Sequence, residues 1–547
     1  MDTTISTPTQ EGVFLRNSSG VIRSMSPKDG MFFGYLSAAG LYGVALYAIL
    51  GMAIFPGANI ALSIVIGGVL FGLVFIVYSV LASAMPRSGG DYVFTSRILT
   101  PSIGFALGFA GWAFWQFFYA FLAANTIVVG ALQPLFSGLG VMYHSPTLTS
   151  IANWLSETGP RLGITIVLLM ISGWIMLRGL RLYIHIQNYF MMPVTIIALV
   201  VIVLEFLLVS HSTFIHHFNH FESSTGGLSS SNLLPAAKAA GYHAVGFSWS
   251  ATWGFSVLLA GALLWCMWQT ELMGEMKSAK SMRNTAGGML GADFLLMVTL
   301  LIGIAWLYQY AGKSFIGPFS YLATNDPAKL GGGWGFRGVE TLLALPAANG
   351  ILLILIFLGF LGPISQSMFN TTLTASRLYL SMSFDRVLPA KMGEVNRRGA
   401  PSVAVTVSVG ISIVLAIIYA FDQHITEAIF TASVASLIAM LGTVVAGTIF
   451  PYRMRAVYEL SPAAKYKIAG LPAVTVIGGL ATVFIAATTA FFIYYPGFGL
   501  RTSAAIPGWI VMGVLFLLAP IWFWTVKAVR RRHGIRLEYA FKEIPPE

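Results

Sequence analysis

Charge is what this chain has least of. Asp, Glu, Lys and Arg together supply 9% of its 547 residues, against about 25% in soluble domains. So few charges cannot cover a water-facing surface of this size, which excludes a soluble multidomain protein. Cysteine is almost missing too: the single Cys266 leaves no intrachain disulfide and no cysteine metal cage. Residues 1–30 are polar and lack an apolar core with a cleavage site, so no secretory signal is expected and the first apolar segment serves as its own insertion signal. The loops expected inside the cell hold no clustered His, Asp or Glu at metal or acid–base spacing, which argues against an enzyme and gives no cofactor or metal to expect.

Apolar residues, by contrast, make up 56% of the chain. They fall into runs that match the roughly 20 residues needed to cross a bilayer. Twelve such segments are legible: Met31–Phe55, Ile60–Met85, Ile103–Leu135, Leu162–Leu177, Phe190–Val209, Ala251–Trp268, Gly288–Tyr308, Thr341–Met368, Val403–Phe421, Ile425–Phe450, Leu471–Tyr495 and Ile506–Val526. The expected fold class is an all-α polytopic membrane protein with twelve transmembrane helices. An even count puts both ends on one side. On that side fall 25 of the 31 basic residues, while Arg161, Lys238, Lys313, Lys329, Arg337 and Arg501 fall on the other. Positive charge favours the cytoplasm, so both termini are expected inside and the protein in the cell membrane. The net charge of +11 is therefore a topology signal in the loops and does not point to nucleic acid. The expected organisation is a cytoplasmic segment 1–30, a membrane domain 31–526 and a cytoplasmic tail 527–547. The longest outer stretches, about 210–250 and 311–340, are rich in Ser, Gly and Asn and read as loops.

Three stretches carry a resemblance. Pro86-Arg87-Ser88-Gly89-Gly90-Asp91-Tyr92 follows the second segment, with Pro101 and Gly111-Trp112 beyond it. Ala375-Ser376-Arg377 follows the eighth, then Asp385-Arg386-Val387-Leu388-Pro389 and Gly399-Ala400-Pro401. Gly51-Met52-Ala53-Ile54-Phe55-Pro56-Gly57 ends the first. In this order and placement they resemble the amino acid–polyamine–organocation (APC) transporter superfamily. The resemblance covers most of the first ten helices; the last two match only in kind. It implies a LeuT-like fold with a 5+5 inverted repeat, helices 1–5 over about 31–209 and 6–10 over about 251–450, followed by two extra C-terminal helices over about 471–526.

The same resemblance implies a carrier of amino acids or related amines, ion-coupled or exchanging, with substrate held where helices one and six are broken at the midplane. A broken helix exposes backbone N–H and C=O groups, tolerated only where they face a cavity or a ligand, and a half-helix N-terminus attracts a carboxylate. Counting from Pro56 puts the first break at Tyr47-Ala48-Ile49-Leu50-Gly51, with Gly40 and Gly43 as alternatives. Counting back from Glu275-Met276-Lys277 puts the second at Ala260-Gly261-Ala262-Leu263. The family glycine a few positions on would fall near Trp265, a departure from the pattern. On helix three, Trp115, Tyr119 and Leu122 share a face by their spacing, beside Gln116. Such rings would favour apolar or cationic solutes, although an aromatic face also serves plain helix packing.

For coupling, the implied sodium position lies between helices one and eight, where Ser365, Ser367, Asn370, Thr371 and Thr374 offer oxygens; hydroxyls can equally bond back to their own helix. Some proton-coupled relatives place a lysine of helix five there; here Gln187-Asn188-Tyr189-Phe190-Met191-Met192-Pro193-Val194 has none. The partners to expect are thus a small solute, H+ or Na+, and the bilayer. Intramembrane carboxylates point to function: Glu271 and Asp293 are candidates for gating or proton relay, and Glu205 and Glu427 lie near helix ends. His211, His216, His217 and His220 cluster in an outer stretch without metal spacing and read as a solvated loop. Cys266 reads as a small packing residue. A transporter-fold channel, a solute sensor, or a carrier of a different solute class are the alternatives.

Overall fold

The protein was analysed as a computed structural model that describes residues 22–38, 40–331, 339–345, 349–422 and 428–542, without side-chain detail at 45, 46, 339, 340 and 428–430. Among these residues, eleven helices are long and apolar enough to cross a membrane, and a bent pair supplies a twelfth span. The chain is an all-α polytopic membrane protein; its β structure is one two-stranded ribbon, Lys467–Ile468 against Leu471–Pro472.

The spans are as follows. The first is interrupted: Pro27–Ser37 and Gly40–Ile54 are its helices, and its two arms are inclined by 62° between Val44 and Tyr47. Then come Ile60–Ala84, Pro101–Met142, Thr158–Leu177, Leu180–Leu208 and Trp249–Glu271, the second to sixth. Met282–Ala311, Gly350–Phe384, Ser402–Phe421, Thr431–Arg453, Ala473–Tyr494 and Ser503–Arg532 complete the twelve. The sixth is interrupted as well. Its α-helix Trp249–Leu258 ends at Leu259, four further residues form one turn, and Leu264–Glu271 continues as a tighter 3₁₀ helix. The first and seventh spans pack together, as do the third and eighth, the fifth and eighth, and the tenth and eleventh.

Several boundaries lie beyond the apolar runs. The first span begins at Pro27, where Ser26 and Asp29 form a reciprocal capping box. The fifth begins at Leu180, because Arg181, His185 and Gln187 sit on an otherwise helical turn. The eighth continues to Phe384, so Ala375-Ser376-Arg377 lies inside it and does not follow it. Its polar residues bond back to preceding carbonyls, Thr371 to Ser367 at 3.0 Å, Thr374 to Asn370 at 2.8 Å and Ser376 to Leu373 at 2.6 Å. A polar stretch that reads as a helix end thus remains helical.

The stretch after the fifth span is not a loop. It holds two helices, His211–Thr225 and Ser230–Ala239, and the second packs on Lys313–Asn325 of the next such stretch. Phe214 and Phe218 bury one face of the first against Phe315, which is why a Ser- and His-rich stretch is helical.

Candidate functional site

Where the sixth span is interrupted, aromatic rings converge. The Trp265 indole N–H donates to the Gly261 carbonyl at 2.6 Å. Its ring meets Trp112 at 5.8 Å, Tyr119 at 5.5 Å and Trp268 at 4.2 Å between centroids. Gly261 faces Tyr47 so closely that any β-carbon there would run into the tyrosine hydroxyl. The first, third and sixth spans therefore meet at Tyr47, Tyr119, Gly261 and Trp265. Tyr47 is 7% and Trp265 9% exposed, and Gly261 and Tyr119 remain partly accessible.

Not every expected residue is there. Trp115 turns back, donating to the Ala110 carbonyl at 2.9 Å and packing edge-on to Phe114 and Phe118. A wider π-helical turn at Leu107–Ala113 changes the register before it and puts Trp112 in the cluster. Gly51 is pressed against the Phe255 ring, and Gly254 against the Phe55 ring, a reciprocal contact between the first and sixth spans. Ala48, Ile49, Ala260, Ala262 and Leu263 are fully buried packing residues, while Leu50 is half-buried. Leu263 approaches Gly67 of the second span. In the first span the helix stops at Ser37 and resumes at Gly40, whose φ of +43° lies in the left-handed region. Residues Tyr47–Gly51 themselves are helical. Trp112, Trp265 and Trp268 were absent from the expected set. The signal for Trp265 was its replacement of a family glycine.

Between the first, fifth and eighth spans runs a chain of amides. Tyr183 donates to Gln366 at 2.5 Å, and Gln366 Nε2 reaches the Ser37 hydroxyl at 3.3 Å and the Phe33 carbonyl at 3.5 Å. Gln187 Nε2 donates to the Asp29 carbonyl at 3.1 Å, and Asn188 to the Asp29 carboxylate at 2.7 Å. Of the coupling-ion candidates, Ser367 bonds to Pro363 at 3.1 Å and Thr371 to its own helix, with Ser365 half-buried. Gln366 makes the cross-helix contacts instead.

The stretch Pro86–Tyr92 wedges under the bundle, on the face where the described residues begin and end. Gly89 adopts φ +77°, and its N–H donates to the Glu271 carbonyl at 3.0 Å. Gly90 passes so close to the Thr270 carbonyl that a β-carbon would sit 2.7 Å away. The glycine pair lets this loop enter between the sixth and eighth spans. Asp91 is then buried; it accepts from Tyr78 at 2.6 Å and Thr443 at 2.5 Å, and its N–H donates to Glu271 at 3.3 Å. Burial raises the Asp91 carboxyl above its ordinary range, opposed by the Thr443 and Tyr78 hydrogen bonds.

Two buried ion pairs flank it. Arg377 grips Glu275 at 2.6 and 3.2 Å, and Met25 joins the same strand-like segment, Lys277 N–H donating to its carbonyl at 2.8 Å. Arg97 holds Asp385 at 2.7 and 2.8 Å, with Tyr92 also donating to Asp385 at 2.8 Å. Burial works against the Arg97 charge, but Asp385 outweighs it and the guanidinium stays firmly protonated. Elsewhere, Asp293 is buried beside Cys266 in the seventh span, and Glu205 is buried near the end of the fifth. Glu427 lies outside the described residues. The outer histidines are spread along one helix; His211 bonds to the Tyr310 carbonyl and His217 to that of Leu345, each at 2.9 Å.

No curated protein matches the chain. The family described as amino acid permease, AA_permease_2, matches over residues 30–516. That range takes in the interrupted first and sixth spans, the aromatic cluster and both ion pairs. The chain therefore belongs to the amino acid permease family of the APC superfamily, transporters and not enzymes, whose substrates are amino acids or related compounds.

Proposed function

We propose that this permease binds an amino acid or a related amine at the aromatic cluster and moves it by alternating access, coupled to an ion or by exchange. The observation that carries the reading is the convergence of Tyr47, Tyr119 and Trp265 on Gly261 at the interruption of the sixth span. Ring faces attract an ammonium group, and a helix interruption offers backbone groups to a polar solute. Tyr47 and Gly261 face the rings, and Ala48, Ile49, Leu50 and Gly51 of the first span with Ala260, Ala262 and Leu263 of the sixth pack behind them. Of the helix-three residues, Tyr119 faces the solute and Trp115 supports it. The ion-pair face is cytoplasmic in this reading, since most basic residues lie on that side. The protein then resides in the cell membrane with both ends inside.

The amide chain at Gln366 and Gln187 runs between the first, fifth and eighth spans, where the family resemblance implies a coupling ion or a lysine. It favours proton or exchange coupling over sodium, because amide N–H groups, not oxygens alone, point inward there. Counterflow in proteoliposomes tests the whole reading. Unlabelled amino acid or amine inside should accelerate entry of the labelled compound, and Trp265→Ala should abolish the acceleration. A solute flux with no trans-stimulation would mean a channel, and binding without flux a sensor.

A further inference from the structure

On the face where the described residues begin and end, Asp91, Glu271, Glu275 and Asp385 are buried together with Arg97 and Arg377, while a fifth buried carboxylate, Asp29, is bonded to Ser26 and Asn188. Arg97 is committed to Asp385 and Arg377 to Glu275, which leaves Asp91 and Glu271. Both are 2% exposed. The bond from the Asp91 N–H to Glu271 Oε1, at 3.3 Å, sets the two carboxyl groups side by side. Asp91 Oδ1 is satisfied by Tyr78 and Thr443, and Glu271 Oε1 by the Asp91 amide. The other oxygen of each, Asp91 Oδ2 and Glu271 Oε2, makes no hydrogen bond among the described residues, although the Trp112 indole N–H, also unbonded, lies beside Asp91. Two ionised carboxylates cannot hydrogen-bond, and two like charges in a buried site repel; one proton between them removes both problems.

The side chains that approach Asp91 carry no positive charge to take that proton's place. Tyr78 comes from the second span, the Trp112 indole from the third and Thr443 from the tenth, and all three are neutral. From the loop itself, Arg87 donates to the Pro86 carbonyl at 3.0 Å, and Tyr92 and Arg97 face Asp385. From the sixth and eighth spans, Glu275 and Arg377 face each other.

We propose that Asp91 and Glu271 hold a single proton between them, and that this proton fastens the Pro86–Tyr92 loop to the end of the sixth span. The same contact carries the backbone bond from Gly89 to Glu271 and the pairing of Ser88 with Leu272, so losing the proton weakens the whole seam. On release, the carboxyl O–H bond breaks, the proton passes to water on that face, and two carboxylates remain whose repulsion drives the loop away. In transport this would make the pair the proton's carrier site. That role rests on the permease reading above, whereas the shared proton does not.

Infrared spectroscopy of the purified full chain separates protonated from ionised carboxyl groups. At neutral pH, Glu271→Gln and Asp91→Asn should each show one protonated carboxyl fewer than the native protein, since an amide in either place satisfies the remaining carboxylate. Signals from Asp293 and Glu205 cancel in the subtraction. No loss in either variant, or loss in one alone, overturns the shared proton. A second measurement follows the seam itself, by labelling Ser88→Cys in a Cys266→Ala background with a maleimide. The labelling rate relative to the same protein carrying Glu271→Gln cancels the thiol's own titration. This ratio should rise about tenfold between roughly pH 5 and pH 9, the range in which buried acids titrate. A flat ratio overturns the fastening role. If both results hold while counterflow shows no exchange, the permease mechanism fails and the proton site stands.

Discussion

At the scale of single residues, the chemistry sits on side chains whose partners are far away in sequence. Glu271 stands out in the sequence as an intramembrane carboxylate, and Asp91 as part of a loop motif. Their pairing spans 180 positions, and no local pattern carries it. Trp265 was legible only as a misfit, a bulky ring at a glycine position; in the fold it is the centre of the aromatic cluster. Trp115 does share a regular helix, Phe114–Ile127, with Tyr119, but its indole bonds back to the Ala110 carbonyl, which face arithmetic cannot foresee. Two outcomes belong here. Trp265→Ala should cut substrate affinity by roughly tenfold or more, the size of a desolvated ring–cation contact of about 2 kcal/mol, with unchanged insertion; binding to purified protein measures it. Arg377→Ala should destabilise by about 3–5 kcal/mol, because it strands the buried Glu275 charge. Replacing both Arg377 and Glu275 by Leu should recover much of that loss in a thermal unfolding assay.

At the scale of elements, the apolar runs marked every span, and amphipathic ends were where reading stopped. Polar residues that bond back along their own helix, as in the eighth span, cannot be told from a helix end by hydropathy. The helices beyond the fifth span owe their form to buried Phe214 and Phe218, a tertiary effect. The tail helix Glu538–Lys542 is another such element: Phe541 lies under the Arg97 guanidinium at 5.0 Å, and Lys527 pairs with Glu538 at 2.8 Å. Phe541→Ala should lower thermal stability by about 0.5–2 kcal/mol and expose the tail to protease. The hydrogen bond from Lys527 holds the Glu538 carboxyl below its usual 4.5. Its contribution is therefore complete above that pH and lost as the pH falls through the lower folded value. Being half-exposed, the pair is worth no more than about 0.5 kcal/mol. Protection of the tail should hold steady from neutral pH down to about 5 and decline only below it, as limited proteolysis would reveal.

At the scale of the whole molecule, composition alone established a polytopic helical protein, and the family match over residues 30–516 established a permease. Sidedness is the property most open to direct test. Cysteines placed at Lys467 and at Ser231 should label from opposite sides of intact cells, Lys467 only after permeabilisation. Labelling at Lys467 from outside, with Ser231 reached only after permeabilisation, would reverse the proposed orientation and with it the direction in which the proton leaves.

The eighth span has a mechanical consequence. Thirty-five residues of unbroken helix extend about 52 Å at 1.5 Å per residue, well beyond a hydrocarbon core of about 30 Å. Gln366 on this rod reaches the first span, and eleven residues on, about three turns away, Arg377 clamps the end of the sixth. A rigid rod cannot tilt at one point and stay still at the other. Any movement that frees Glu275 must also drag on Ser37 beside the interruption of the first span. If the permease works by the alternating access proposed above, the rod is a lever that denies it one particular fault, a passage open at both ends.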